Sequence, residues 1–253
     1  MRILYKTCPL CDSKGIGIYK EVNCTKHGLY NPKLEPLIRW LQCVECNHMF
    51  TNGYWGEYDL SLIFSKTQAC QIVGYDTEGQ RFVSARIIDK LLPYQNQGRW
   101  LDIGFGNGSL LMTAKEYGFE PVGLDLRPDN VEAMKGLGIK AYQLDISNFI
   151  TQNLFNVISM CDVLEHIPFP KDALQQAHKF LNTNGILFLS MPNMESIIWN
   201  LLPENPYWSE IEHFHNFSRT ILYELLKETG FTPIKYGISE RYRLCMEVIA
   251  VKK

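Results

Sequence analysis

The chain has 253 residues, 46% of them hydrophobic and 21% charged, enough apolar material for one large core or two smaller ones. A formal net charge of −2 carries no basic excess and speaks against a nucleic-acid binder. No apolar run approaches the roughly 18 residues that span a bilayer, and "MRILYKTCPLC" lacks a signal-type apolar stretch, so a soluble cytoplasmic protein is expected.

Residues 1–65 read as a small module rich in Cys, Lys, Asn, Gly and aromatics, with "PLIRWLQ" as its one hint of helical period. A module of this size has little core and needs a staple. Five cysteines supply it: Cys8, Cys11, Cys24, Cys43 and Cys46. In a cytosolic setting, Cys-x-x-Cys pairs favour metal over disulfide. "CPLC" and "CVEC" each place two thiolates on a tight turn, and two such turns close a four-thiolate zinc site at Cys8, Cys11, Cys43 and Cys46. The stretch between the pairs is longer than the usual 15–20 or so residues. It holds Cys24 and His27, which form a rival quartet with Cys43 and Cys46. Four protein ligands leave no open position, so the zinc is read as structural.

Residues 66–253 read as a second domain. A helical lead-in over 66–92 carries Phe82, Ala85, Ile88, Leu91 and Leu92 at helical spacing and stops at Pro93. Strand and helix patterns then alternate. "RWLDIGF", "EPVGLDL", "KAYQLDI", "FNVISMC" and "ILFLSMP" read as strands, and "GSLLMTAKEYG", "RPDNVEAMKGLG" and "KDALQQAHKFLNTNG" as helices. This order implies a doubly wound α/β fold, a mostly parallel sheet with helices on both faces. Residues 193–217 are too aromatic for a solvated linker and read as a lid or substrate wall, with Trp199, Tyr207 and Trp208 as wall candidates. Ser218 can cap a last helix. "FTPIKYGI" and "CMEVIAVKK" then form an antiparallel hairpin at a sheet edge.

The chemistry centres on "LDIGFGNGSLL". A dinucleotide turn wants Gly-x-Gly-x-x-Gly, and Ser109 stands where its third glycine belongs. A phosphate-binding P-loop wants Gly-Lys-Ser/Thr, which is absent. What remains is Asp-x-Gly-x-Gly-x-Gly from Asp102 to Gly108. This segment resembles motif I of the class I S-adenosylmethionine-dependent methyltransferases. The later stations follow in order: "VGLDL", "QLDI", "NVISMCDVLEHIP" and "NTNGILFLSMPN" resemble the second to fifth strands of the ubiquinone-type small-molecule branch. One glycine, Gly185, stands where the family often has two.

The resemblance implies a seven-stranded Rossmann-like methyltransferase sheet with an antiparallel C-terminal edge, and S-adenosylmethionine as cofactor. Gly104, Phe105 and Gly106 would pass backbone beside its methionine part, since glycine has no Cβ, and Asp102 would order the turn. Asp125, about 20 residues beyond the turn, would take the ribose hydroxyls. Asp145 would accept from the adenine amino group between Leu126 and Ile146. Met160 and Cys161 would lie beside the methionine part. The N-terminal cysteine pattern resembles zinc modules attached to some sugar and natural-product methyltransferases.

A hydroxyl acceptor needs a base, and His suits neutral pH. "EHFHNFS" offers His213 and His215, and resembles a stretch that many members of this branch carry before the last helix. "LEHIP" offers His166 on the loop after the fourth strand. The expected function is O-methylation of a sugar, a nucleotide-linked sugar or a natural-product hydroxyl by in-line displacement. N- or C-methylation of a small molecule, a cofactor binder without turnover, and a nucleic-acid reader of methyltransferase ancestry are the alternatives. The near balance of charge over residues 1–60 weighs against the last.

Overall fold

The computed structural model describes residues 2–66, 68–202 and 205–253. The expectations over 1–65, 66–92 and 193–217 therefore leave the described residues only at 1, 67, 203 and 204. Contacts divide the chain into two compact units. The first comprises Met1–Lys66, Glu165–Lys171 and Pro192–Leu225, and the second Thr67–Leu164, Asp172–Met191 and Leu226–Lys253.

The first unit is built on a four-stranded antiparallel sheet in the order His215–Asn216, Met49–Thr51, Leu37–Cys43, Ile16–Asn23. Ile3–Leu4 pairs antiparallel with Gly53–Tyr54 beside it. "PLIRWLQ" is thus a strand and not a helix. Ile38 and Trp40 are buried while Leu37 and Arg39 are exposed, the alternation of a pleated strand rather than a helical stripe. The aromatic stretch 193–217 supplies core to this unit. Trp199, Trp208, Ile211 and Phe214 pack with Trp40, Trp55, Met49 and Ile63. The indoles of Trp40 and Trp55 donate to the carbonyls of Trp208 (2.9 Å) and Ile211 (2.8 Å), so these large rings are buried without orphaning their N–H groups.

The second unit carries the large sheet. Its strands are β1 (Gly98–Ile103), β2 (Phe119–Leu124), β3 (Lys140–Tyr142), β4 (Phe155–Cys161), β5 (Leu181–Pro192), β6 (Phe231–Ile238) and β7 (Cys245–Lys252). Their order is β6-β7-β5-β4-β1-β2-β3. The pairs β1–β2, β2–β3, β1–β4 and β4–β5 are parallel, and β6–β7 is antiparallel. Helices α1 (Thr77–Leu91), α2 (Ser109–Glu116) and α3 (Pro128–Gly136) belong to the same unit, while α4 (Pro170–Phe180) and α5 (Arg219–Glu228) cross from one unit's residues into the other's. Near-continuous burial along β1, β4 and β5 is what a sheet covered on both faces requires. The helix before β5 stops at Phe180, short of the Asn-Thr-Asn-Gly stop read from sequence, because buried Leu181 already pairs with Phe155. Among the described residues no helix is long and apolar enough to cross a membrane.

This order places the chemistry. β1 has β2 on one side and β4 on the other, so the winding reverses at its carboxyl end. A crevice opens at such a switch point in open α/β sheets.

Candidate functional site

The turn leaving β1 occupies that switch point. Gly104, Gly106 and Gly108 have φ of +65°, +53° and +72°, a region closed to most L residues. Two of them differ in what a side chain would meet. A Cβ at Gly104 would lie 2.6 Å from Val163 Cγ2, whereas a Cβ at Gly106 would meet nothing within 4 Å. Gly106 therefore faces open space on the side where a side chain would stand, and a ligand can approach its Cα there.

Asp125, buried just past β2, holds this turn. Its Oδ2 accepts from Gly106 N–H at 2.9 Å and its Oδ1 from Arg127 N–H at 2.8 Å. Burial raises its carboxyl above the ordinary value, against the pull of those two N–H groups. Each oxygen keeps a second lone pair for an outside hydroxyl. Asp102 is buried in β1. Its Oδ1 accepts from Ser159 Oγ at 2.6 Å, and Ser159 accepts from Trp100 Nε1 at 2.8 Å. Burial lifts the Asp102 carboxyl to about 6, while the Ser159 hydroxyl and the Arg241 charge oppose the rise.

The other expected cofactor residues divide. Leu126 is 44% exposed and Ile146 is buried. Asp145 is exposed, and its Oδ1 accepts from Ser147 Oγ and from the backbone and side chain of Asn148. The Phe105 ring packs with Leu111, Val131 and Met134, so it offers a ligand its backbone alone. Met160 is fully buried in β4, and burial pushes the Cys161 thiol up, away from nucleophile character. Sequence reasoning passed over Ser159 and Asn130. The Asn130 amide donates to Gly106 O (3.0 Å) and Gln71 O (2.9 Å), tying the segment before α1 to the turn. An Asn inside a short helix gives no sequence signal of that role.

The three histidines all lie in the first unit. His215 Nε2 donates to Ile167 O at 3.0 Å, so in the neutral ring Nδ1 accepts from His48 Nε2, also at 3.0 Å. Both nitrogens are engaged, and burial lowers this ring to about 4. His166 Nδ1 donates to Glu212 O at 3.0 Å, which leaves Nε2 with the lone pair. His213 lies edge-on to His166 at 4.7 Å between centroids, and burial lowers it to about 3. Glu165, which sequence reasoning also passed over, joins these two rings: one ligand-capable atom each from Glu165, His166 and His213 lies within 4.8 Å of the others. The signal was a carboxylate adjoining His166 in "LEH".

The cysteines resolve into one quartet. The Sγ atoms of Cys8, Cys11, Cys43 and Cys46 lie within 4.8 Å of one another, with Cys8–Cys46 at 3.6 Å and Cys11–Cys43 at 3.5 Å. A tetrahedral zinc with Zn–S of about 2.3 Å sets sulfurs roughly 3.8 Å apart. The two turns match in detail. Asp12 and Asn47 each follow the second cysteine, donate N–H to the first cysteine's carbonyl at 3.0 Å, and take φ of 59° and 60°. Asp and Asn are among the few side chains that tolerate this region. The rival pair is used elsewhere: Cys24 Sγ donates to the carbonyls of Glu35 and Pro36, and His27 Nε2 meets Glu210 at 2.8 Å.

A sequence profile of the family described as "Methyltransferase domain" matches residues 75–236. The ubiquinone biosynthesis O-methyltransferase of Histophilus somni (strain 2336) is 29% identical over 114 residues, covering 40% of this chain and 48% of that protein. The mitochondrial ubiquinone biosynthesis O-methyltransferase of Candida albicans is 32% identical over 110 residues, 39% of this chain and 34% of that one. The chain spans about half the length of the first curated relatives it matches. Among solved structures, the 1,6-didemethyltoxoflavin-N1-methyltransferase of Burkholderia thailandensis, with its namesake compound and S-adenosylhomocysteine bound, superposes with a TM-score of 0.60 at 18% identity, over 83% of this chain and 97% of that one. An S-adenosylmethionine-dependent methyltransferase from Clostridium acetobutylicum gives 0.56 at 13% identity, over 77% and 98%. At these identities the structural likeness is one of fold.

Proposed function

Because the chain belongs to the methyltransferase-domain family over residues 75–236, we propose that it moves the methyl group of S-adenosylmethionine onto a hydroxyl oxygen of a small molecule. The observation that carries the reading is the turn after β1: positive-φ glycines, open space at Gly106, and a buried Asp125 tied to Gly106 N–H. This donor set suits a ligand with a ribose and an amino-acid end and no pyrophosphate. The Asp125 oxygens would take the ribose hydroxyls. The Gly104–Gly106 backbone would run beside the methionine part, Leu126 would offer its exposed face to the adenine, and Asp145, on the connection after β3, would accept from the adenine amino group. When bound, the cofactor supplies an electrophilic methyl on sulfur, open to in-line displacement.

Oxygen as the acceptor atom is supported by the curated relatives, which are named as O-methyltransferases. The acceptor class remains a sugar, a nucleotide-linked sugar or a natural-product hydroxyl. The acceptor's proton would go to His166 Nε2, the lone-pair nitrogen of a ring fixed by its Nδ1–H bond to Glu212 O. The Cys8, Cys11, Cys43 and Cys46 thiolates would hold one structural zinc, supported by their spacing and their paired turns.

Calorimetric titration of the full chain with S-adenosylhomocysteine tests the reading. Binding is expected for the wild type and a loss of at least about tenfold, or roughly 1.4 kcal/mol, for Asp125→Asn. Folded wild-type protein that gives no binding heat overturns it.

A further inference from the structure

In the first unit, residues 167–169 lie between the helical turn that ends at His166 and the helix that opens at Pro170, and belong to neither. Pro168 and Pro170 carry no N–H, so a backbone ladder cannot hold this stretch. Side chains hold its carbonyls instead. Ile167 O accepts from His215 Nε2 at 3.0 Å and Pro168 O from Tyr5 Oη at 2.7 Å. Both bonds trace back to the flanks of the two cysteine turns. Tyr5 stands three residues before Cys8, and its ring packs edge-on against Phe50 and Phe169. His48 stands two residues after Cys46, and its Nε2 donates to His215 Nδ1 at 3.0 Å, which keeps the His215 proton on Nε2. His48 is fully buried, stacks on Phe50, and accepts from Cys43 N–H at 3.0 Å on its own carbonyl. The strand Met49–Thr51 that follows it pairs with His215–Asn216.

We propose that Tyr5, His48 and His215 are positioning residues for His166, so that the flanks of the two cysteine turns aim that ring. On one side of His166, Glu165 O accepts from Phe214 N–H at 2.9 Å. On the other side, the next two carbonyls are held by His215 and Tyr5. With its neighbours fixed in this way, the His166 backbone cannot turn, and only its side-chain torsions are left. The Nδ1–H bond to Glu212 O at 3.0 Å fixes those and leaves the lone pair on Nε2. A proton acceptor works only within hydrogen-bond reach of the proton it takes, so a small swing of the ring removes it from use. The N-terminal module thereby acts on the reacting ring as well as on the fold. That consequence rests on the methyl-transfer reading; the positioning of His166 does not.

The test is hydrogen exchange at His166 Nδ1–H, followed by NMR of the ¹⁵N-labelled imidazoles in the full chain purified with zinc, the signal being assigned through His166→Gln. Tyr5→Phe keeps the ring and loses the hydroxyl. His48→Phe keeps a ring in the stack and loses the donor. Each removes about one hydrogen bond's net worth, so exchange at His166 is expected to rise at least about fivefold in each. His48→Gln, whose amide can still donate to His215, is expected to stay near the wild-type rate. The indole N–H groups of Trp40 and Trp55, bonded to Trp208 O and Ile211 O in the same unit, are the control and are expected to keep their rates. Circular dichroism reports whether His48→Phe folds; should it not, Tyr5→Phe decides. Unchanged His166 exchange in Tyr5→Phe overturns the proposal. So does a rise that both indoles share, which is a general loosening of the fold. A His48→Gln rate as high as that of His48→Phe removes His48 from the positioning set. S-adenosylhomocysteine titrated into the same samples keeps the two readings apart. Cofactor binding with His166 exchange unmoved sinks only this inference, and a rise at His166 alone without cofactor binding sinks only the methyl-transfer reading.

Discussion

At the scale of single residues, the turn after β1 separates two demands that glycine meets at once. Gly104 is held by φ and by packing, since its Cβ would press into Val163. Gly106 is held by φ alone, because the space beside it is open. Gly106→Ala should therefore destabilise the cofactor-free protein by only about 1–2 kcal/mol, the ordinary penalty of an L residue at positive φ. It should weaken S-adenosylhomocysteine more than that, because the methyl stands where the ligand approaches. Urea melts and calorimetry on one preparation compare the two losses; an affinity loss no larger than the stability loss would remove Gly106 from the site. Asp102 makes the opposite trade. Its carboxyl titrates near 6 in the fold because it is buried. A carboxyl raised above its unfolded value costs stability as pH climbs from about 4 to 6, and the full cost stands above that range. Asp102→Asn keeps an acceptor for Ser159 and removes the charge. It should be more stable than the wild type by roughly 2–3 kcal/mol at pH 8, with the advantage gone by about pH 4. A destabilised Asp102→Asn at pH 8 would show that the charge supports the fold.

At the scale of elements, the loop after Ile16–Asn23 and the stretch around Pro206–Trp208 are joined by a His27–Glu210 pair at 2.8 Å. The Glu210 hydrogen bond raises the His27 ring's pKa, with Glu212 adding to it. For Glu210 the cost of burial is outweighed by the partnership with His27, its hydrogen bond foremost, and its carboxyl lies below the usual value. The Glu210 contribution is present above its unfolded value and fades as pH falls through its lowered folded one. The His27 contribution is present below its unfolded value and fades as pH rises through its raised one. The pair thus contributes most in weakly acidic solution. His27→Gln should lose about 1 kcal/mol near pH 6 and little at pH 9, read from urea melts. Equal losses at both would assign the effect to packing. The same scale shows where pattern reading slips. "PLIRWLQ" fits a helix by its apolar count, yet Ile38 and Trp40 point one way and Leu37 and Arg39 the other. In seven residues the two periods barely separate, and the neighbouring strands decide.

At the scale of the whole molecule, the division of labour follows the two compact units, between which the chain crosses five times. The expected cofactor residues, Asp102 to Cys161, all belong to the second unit, while His166, His213 and the cysteine quartet belong to the first. In the proposed function a zinc on the quartet staples the unit that carries the acceptor chemistry. Chelating that zinc should therefore abolish methyl transfer while S-adenosylhomocysteine still binds, measured by calorimetry and a radiolabel transfer assay on the same protein. Loss of both together would mean that the second unit also depends on the staple.

The alternation of strand and helix, the ordered acids and the glycine turn could be read from the sequence because each is a local pattern: apolar period, turn chemistry, and spacing along one strand-to-helix connection. The paired Cys-x-x-Cys turns were local too, and a choice between quartets was all that remained. Only the tertiary structure chose Cys8 and Cys11 over Cys24 and His27, because sulfur-to-sulfur distance across residues 12–42 is set by how the sheet folds that stretch back. Only the tertiary structure turned Trp199 and Trp208 from an expected wall into core, and engaged both nitrogens of His215 while leaving one open on His166. Those are facts about which backbone lies beside which side chain, at sequence separations of 48 for His215 and Ile167 and 46 for His166 and Glu212. A linear pattern carries a residue's chemistry, but the partner that decides its protonation and aim arrives with the fold.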